Sequence, residues 1–121
     1  MNEQIAFRIA AVTGCLGVAL GAFGAHALKT QLEGHYREVW ETAVFYHLIH
    51  AVMLAVVSQM KSWNRGPYLC FLAGILLFSG SLYLLAVTQV RWLGAITPFG
   101  GLSFLAGWLW LAIAGFRGAT K

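Results

Sequence analysis

A polar stripe interrupts the second apolar run of the sequence and holds the residues best suited to chemistry. Glu38, Thr42, Tyr46 and His50 follow one another at four-residue steps, a spacing that places neighbours on the same side of a helix. His47 lies beside this stripe, three residues before His50. Polar groups are costly inside a membrane and mark candidate functional sites, and two histidines at this spacing can share a ligand. The stripe therefore raises the hypotheses of a metal or haem site and of a path for a small solute or a proton.

A third histidine, His26, ends the first apolar run. His50 lies near the middle of its own run, so the two side chains differ in depth by roughly 15 Å at the helical rise per residue. Ligands of one metal ion lie about 2 Å from it, which excludes a site shared by His26 and His50. We expect His26 near the external interface, hydrogen-bonded to Glu38, Glu41 or Thr42. The structural alternative is that the histidines only hydrogen-bond across helices, and we predict neither a metal nor a cofactor.

The chain contains no recognisable catalytic set. Its membrane-embedded part lacks a nucleophile next to a base, a phosphate-binding loop and paired carboxylates. Eight Lys and Arg give a net charge of +4, but they are scattered and form no basic stripe that would bind nucleic acid. We therefore predict that the protein is not an enzyme and has no nucleic-acid partner.

Four long apolar runs must position the polar residues. Hydrophobic residues make up 60% of the 121 residues and charged residues 10%, whereas a soluble domain carries about 25% charged residues. Each run reaches the length of about 17–25 residues that spans the hydrocarbon core of a bilayer. The sequence thus predicts an all-α fold: a single domain over residues 1–121, built as an up-down bundle of four transmembrane helices at about 5–28, 40–60, 67–90 and 98–116.

The links between these runs predict the orientation. Link 29–39 alternates apolar and charged residues at helical spacing, which indicates an interfacial amphipathic turn or an extension of the second helix. By the positive-inside rule, the side with more Lys and Arg faces the cytoplasm, which places both termini there. That side carries Arg8, Lys61, Arg65, Arg117 and Lys121, and the other side carries Lys29, Arg37 and Arg91.

Small residues form stripes along three of the predicted helices. Such stripes let helix backbones approach closely in lipid, so they indicate tight packing inside the bundle or, alternatively, self-association. The first helix carries Gly14, Gly17, Gly21 and Gly24 at steps of three, four and three residues. The third helix contributes Gly80 within a Ser-Gly-Ser sequence, and the fourth contributes Gly100 and Gly107.

Several segments together resemble a known family. They are 21–26 (GAFGAH), Tyr46 with His50, 78–83 (FSGSLY), 97–101 (TPFGG) and 107–108 (GW). In this order they resemble the YgdD and YwdK type of small bacterial inner-membrane proteins, domain-of-unknown-function family 423, to which transmembrane protein 256 of animals is similar. The resemblance implies four helices in the bacterial plasma membrane and no assigned biochemical activity. It does not require a histidine at position 47, where glutamine also occurs in the family, and this weakens the metal hypothesis.

Three functions remain open at the level of sequence. The first is a packing or assembly partner in the lipid bilayer, whose helix faces recruit copies of itself or another membrane subunit. The second is a transport element for a small solute or a proton, using the polar stripe through Tyr46 and His50. The third is a haem- or metal-binding membrane protein.

Overall fold

The computed structural model describes residues 1–60 and 65–115, and all regular structure among them is helical. The long helices are α1 (Glu3–His26), α2 (His35–Ser58), α3 (Arg65–Thr88) and α4 (Thr97–Ala114), and a short 3-10 turn (Arg91–Ala95) leads into α4. With that turn included, each of the four segments covers 24 residues and is apolar enough to cross a membrane. The predicted all-α fold of four transmembrane helices is confirmed.

The helix ends differ from the predicted ones where the backbone leaves helical geometry. α2 begins at His35 rather than at residue 40, so residues 35–39 of the link extend the second helix and residues 29–34 form a turn. Gly34 caps it with φ 55° and ψ −122°, a conformation that glycine adopts without steric conflict. α3 ends at Thr88 because Gln89 takes the left-handed conformation, with φ 60°. α4 is described to Ala114, and its predicted end at residue 116 lies outside the described residues.

α1 and α2 form an antiparallel hairpin held by close backbone approach. A Cβ atom added to Gly14 would contact Ala51, and one added to Gly24 would meet the indole of Trp40. Residue numbers therefore rise along α1 as they fall along α2. The short turn at 27–34 joins the two helices at one end of the bundle.

α3 and α4 form a second antiparallel pair around a local widening of α3. The segment Ile75–Ser79 is a π-helix, a rare irregularity that is often found at functional sites. The backbone of α4 at Gly100 packs against the backbone of Phe78 in this segment. About two turns further along α4, Gly107 packs against the ring of Phe71. The Ser79 hydroxyl donates to the carbonyl of Ala43 on α2 at 2.8 Å, which attaches the second pair to the first.

Two clusters of buried apolar side chains lie at opposite ends of the bundle. One is built around Leu54, Tyr68 and Phe71, and the other around Leu32 and Trp40. The middle of α2 lies between these clusters, and its buried residues include His47 and His50. The fold thus places two imidazole rings in the centre of an apolar bundle.

Candidate functional site

A central polar layer crosses the bundle between the two apolar clusters. Its members are side chains from three helices that hydrogen-bond around α2. The layer consists of His47, His50, Ser79, Tyr83 and Trp108. His47 and His50 are 4% and 3% exposed, so their partners belong to the protein and not to solvent or lipid.

His47 joins α2 to α1 and to α3. Its Nε2 atom lies 2.8 Å from the carbonyl oxygen of Thr13, and its Nδ1 atom lies 2.8 Å from the hydroxyl of Tyr83. A carbonyl oxygen only accepts, so Nε2 carries the proton and donates to Thr13. In the neutral ring Nδ1 is then an acceptor, and the Tyr83 hydroxyl donates to it. Gly17 makes room for this contact, because a Cβ there would lie 3.2 Å from the His47 ring.

His50 joins α2 to α4 with the opposite tautomer. Its Nδ1–H donates to the carbonyl oxygen of Tyr46 at 2.8 Å, one turn earlier in the same helix. Nε2 accepts from the indole N–H of Trp108 at 3.0 Å. The ring also stacks on Phe104, with centroids 3.7 Å apart and planes 9° from parallel. A proton added at Nε2 would oppose the indole donor, so this arrangement requires a neutral imidazole.

These contacts determine what the central polar layer can do chemically. Both nitrogens of both rings are engaged in hydrogen bonds, so neither histidine presents an unused lone pair to a metal or a substrate. Within residues 1–60 and 65–115, no group of three or more His, Cys, Asp or Glu is arranged to hold a metal ion. In the same residues, every buried side-chain nitrogen and oxygen has a hydrogen-bond partner. The layer has the geometry of a structural clamp that couples α2 to the other three helices.

Most of the predicted polar stripe lies outside this layer. Glu38 and Thr42 are exposed, Tyr46 is 37% exposed, and only His50 is buried. Residues on an α-helix turn by about 100° each, so every four-residue step drifts by about 40° and Glu38 points roughly 120° away from His50. The stripe therefore winds around α2 and does not follow one inner face. The polar residue of α2 that is buried together with His50 is His47, three residues earlier in the chain.

The predicted hydrogen bond of His26 is not formed in the described part of the chain. His26 is exposed at the end of α1, and Glu38, Glu41 and Thr42 are exposed on α2. The two helices are joined at this level by Trp40, whose indole N–H donates to the carbonyl of Leu20 at 3.0 Å. The indole fits there because Gly24 has no side chain.

The predicted packing glycines differ in how closely another helix approaches them. A Cβ at Gly17 would lie 2.6 Å from Leu48, and one at Gly21 would lie 3.1 Å from Val44. Added Cβ atoms at Gly24, Gly100 and Gly107 would also overlap with the neighbouring helix, whereas those at Gly14 and Gly80 would meet nothing closer than 4.0 Å. For Gly80 that atom is the Ile75 carbonyl of its own helix, so Gly80 is not at a close contact between helices.

Sequence reasoning missed the partners that define the site. Tyr83 and Trp108 both lie within the segments that carried the family resemblance, at 78–83 and 107–108. Their roles as a donor to His47 and a donor to His50 depend on how α3 and α4 are rotated. Trp40 was not among the predicted site residues, because its contact with Gly24 depends on how α1 packs against α2.

Comparison with known proteins identifies the chain's relatives. The family model described as Protein of unknown function (DUF423) matches residues 20–101. UPF0382 membrane protein YwdK of Bacillus subtilis is 45% identical over 116 residues, which cover 90% of this chain and 94% of that protein. UPF0382 membrane protein SH2409 of Staphylococcus haemolyticus is 46% identical over 114 residues, covering 90% of this chain and 93% of that protein. No solved structure matches the chain. A match over most of the sequence at this identity means that the chain belongs to the UPF0382 (DUF423) family of membrane proteins.

Proposed function

We propose that this protein is a membrane-embedded assembly subunit that acts through helix–helix contacts and associates with copies of itself through the outer face of α1. The protein works in the bacterial inner membrane, with both termini in the cytoplasm. Its relatives are named as membrane proteins, and its four helices leave only short links outside the apolar segments. Such a chain offers partners little besides helix surfaces.

The supporting observation is an outer stripe of small residues on α1. Ala11, Cys15 and Ala22 are exposed and lie within about 40° of one another around the helix. They are separate from the inner glycines, which already pack on α2. Only 17% of the α1 span is buried, as in the span that contains α4 and against 39% for α2, and the three stripe residues are themselves open to a neighbour. These residues are four and seven positions apart, and small residues on one helix face allow two helices to approach closely in lipid.

A second copy of this chain is the partner that the stripe fits. Oligomers of identical subunits most often form two-fold contacts in which the same patch meets itself. The stripe suits this requirement at Ala11, Cys15 and Ala22, where two such surfaces leave little side chain between the backbones, and Val18, 63% exposed, is the larger side chain between them on this face. In a two-fold pair centred on the stripe, the two copies of Cys15 face each other.

The test uses Cys15 as a natural cross-linker. In a Cys70→Ser background, mild oxidation of native membranes should give a disulfide-linked dimer through Cys15, since disulfides form only when the Cβ atoms are about 3.5–4.5 Å apart. Ala22→Leu should reduce the dimer several-fold by separating the helices. Ala112→Leu adds the same bulk at an exposed position of α4 and should leave the dimer unchanged.

A thiol at a second position of α1 distinguishes a specific dimer from random collisions between chains in the membrane. In a chain lacking both cysteines, Leu16→Cys places a thiol about 100° around α1 at an exposed position and should cross-link much less than Cys15. Equal cross-linking from positions 15 and 16, or no dimer at all, would overturn the proposal. A disulfide adduct with a different membrane protein would show that the partner is not a second copy.

The transport and haem hypotheses gain no specific support. The polar stripe winds to the outside of α2, and both ring nitrogens of His50 are already hydrogen-bonded. A solute path or a haem ligand would need these groups to face an open space.

A further inference from the structure

A groove of about 450 Å³ lies between α1 and α2, next to the 27–34 turn. Its walls are apolar and come from both helices, with Trp40, Val44 and Leu48 on α2 and Gly21 and Ala25 on α1. The small residues of α1 create the space, because they leave little side chain to fill it. The volume is within the range of about 300–1,000 Å³ that is typical of ligand-binding pockets.

The mouth of the groove is charged. Lys29, Arg37 and Glu41 line it, giving two cations and one carboxylate. The Arg37 guanidinium is held in place by donating to the carbonyls of Leu32 at 3.0 Å and of Lys29 at 3.1 Å. These two bonds use two of the five N–H groups of the guanidinium, and both acceptors are neutral, so its charge is not paired by them.

The position of the mouth identifies the environment of these charges. They lie where α1 ends and α2 begins, which is the level of lipid headgroups for helices that span a bilayer. Basic pockets between transmembrane helices bind phosphate-bearing headgroups, and guanidinium groups match phosphate geometry well. An apolar groove beneath a net positive mouth is complementary to an anionic amphiphile.

We propose that this groove binds an anionic phospholipid, with an acyl chain along the apolar walls and its phosphate at Lys29 and Arg37. A zwitterionic lipid is less suitable, because its ammonium group adds positive charge to a mouth that is already net positive with Lys29, Arg37 and Glu41. The Trp40 indole, fixed by its bond to the Leu20 carbonyl, forms a rigid wall for the chain. This site does not depend on the proposed self-association through α1.

Headgroup recognition is tested by native mass spectrometry of the full chain in detergent. Dioleoyl phosphatidylglycerol and dioleoyl phosphatidylcholine, which share their acyl chains, are titrated separately. We expect the anionic lipid to be retained roughly tenfold better, and the double variant Lys29→Gln/Arg37→Gln to lose that preference. Arg91→Gln removes a cation at the same end of the bundle but outside the groove, so it should keep the preference.

Occupancy of the groove by the acyl chain is tested with a filling variant. Ala25→Phe places an aromatic ring in the groove and should lower retention of both lipids, whereas Ala19→Phe adds it at an exposed position of α1 outside the groove. Equal retention of the two lipids by the unmodified chain would overturn the proposal, as would equal losses with Arg91→Gln and the double variant. Unchanged retention with Ala25→Phe would place the lipid elsewhere on the protein surface.

Discussion

The two central histidines donate their hydrogen bonds through different ring nitrogens. His47 donates through Nε2 to Thr13, and His50 donates through Nδ1 to Tyr46, so the two rings carry their protons on different nitrogens. Each ring then accepts one bond from another helix. An unsatisfied polar atom costs several kcal/mol in the hydrocarbon region, so full satisfaction is what allows these rings to be buried there. Their partners fix the rotation of α2 against its neighbours.

The bond between His50 and Trp108 predicts non-additive mutations. Trp108→Phe leaves Nε2 of His50 without its donor, and His50→Leu leaves the indole N–H without an acceptor. We expect each single change to lower the free energy of unfolding by about 1 kcal/mol or more, since hydrogen bonds between membrane helices are worth about 0.6 and at most about 1.7 kcal/mol and packing is also lost. The double variant should lose less than the two single losses together, because it leaves neither group unpaired. Denaturation in mixed detergent micelles measures all three.

Trp92→Phe is the matched control for the tryptophan change. Trp92 is 66% exposed, so its replacement should alter the free energy of unfolding little. If the losses from His50→Leu and Trp108→Phe add within about 0.3–0.5 kcal/mol, the two side chains are not energetically coupled and the proposed clamp is wrong.

Individual residues of the site could be predicted only in part. His50 was identified because a histidine in an apolar run is rare and costly. Its partner Trp108 lies 58 residues away, and no local spacing connects the two. The predicted stripe does not stay on one face of α2, because a four-residue step matches the helical repeat closely over one turn but not over three.

At the level of elements, glycines determine how closely the helices approach. Gly100 lets the backbone of α4 touch the backbone of α3 in its π-helical segment, where an added Cβ would lie 2.7 Å from the Cα of Phe78. Gly101, the next residue, points elsewhere, and its added Cβ would lie 3.9 Å from the Phe78 ring. Backbone atoms cannot move aside as a flexible side chain can.

Gly100→Ala and Gly101→Ala should therefore change stability in different directions. We expect Gly100→Ala to lower the free energy of unfolding by about 1–3 kcal/mol, the usual cost of overpacking. Gly101→Ala should leave it unchanged or raise it by about 0.5–1 kcal/mol, because alanine favours the helix over glycine. Thermal denaturation of the two variants in one detergent compares them directly. Equal effects would mean that α3 and α4 do not meet at Gly100.

The four helices were predictable because length and apolarity alone are enough to define a membrane span. The glycine stripe of α1 was also expected to pack, and Gly17 and Gly24 do contact α2 closely. The π-helical segment of α3 was not predictable, because Ile75–Ser79 has the composition of any apolar helix. Sequence spacing did select Gly100 with Gly107 as packing residues, but it could not show that Gly100 meets the π-helical backbone of α3.

For the whole molecule, the two antiparallel hairpins explain why so short a chain forms an ordered bundle. Apolar side chains gain little by leaving lipid for each other, so packing and hydrogen bonds between helices must hold the bundle. The glycine contacts lie within the α1–α2 and α3–α4 pairs, and the central polar layer connects those pairs through α2. The apolar composition predicted the membrane environment, whereas this division of roles depends on the three-dimensional arrangement.

The orientation of the bundle in the membrane is the last prediction. The Arg65 guanidinium donates to the carbonyl of Met1 at 3.3 Å, so the amino terminus and the start of α3 lie at the same end of the protein. The sequence prediction assigns five Lys and Arg to that side of the membrane and three to the other, so by the positive-inside rule we expect that end in the cytoplasm. Green fluorescent protein fused after Lys121 should fluoresce, and alkaline phosphatase fused there should be inactive. Alkaline phosphatase inserted between Glu33 and Gly34 should be active, because we expect that turn to face outward. Active alkaline phosphatase at the carboxyl terminus would reverse the orientation and move the groove with Lys29 and Arg37 to the cytoplasmic leaflet.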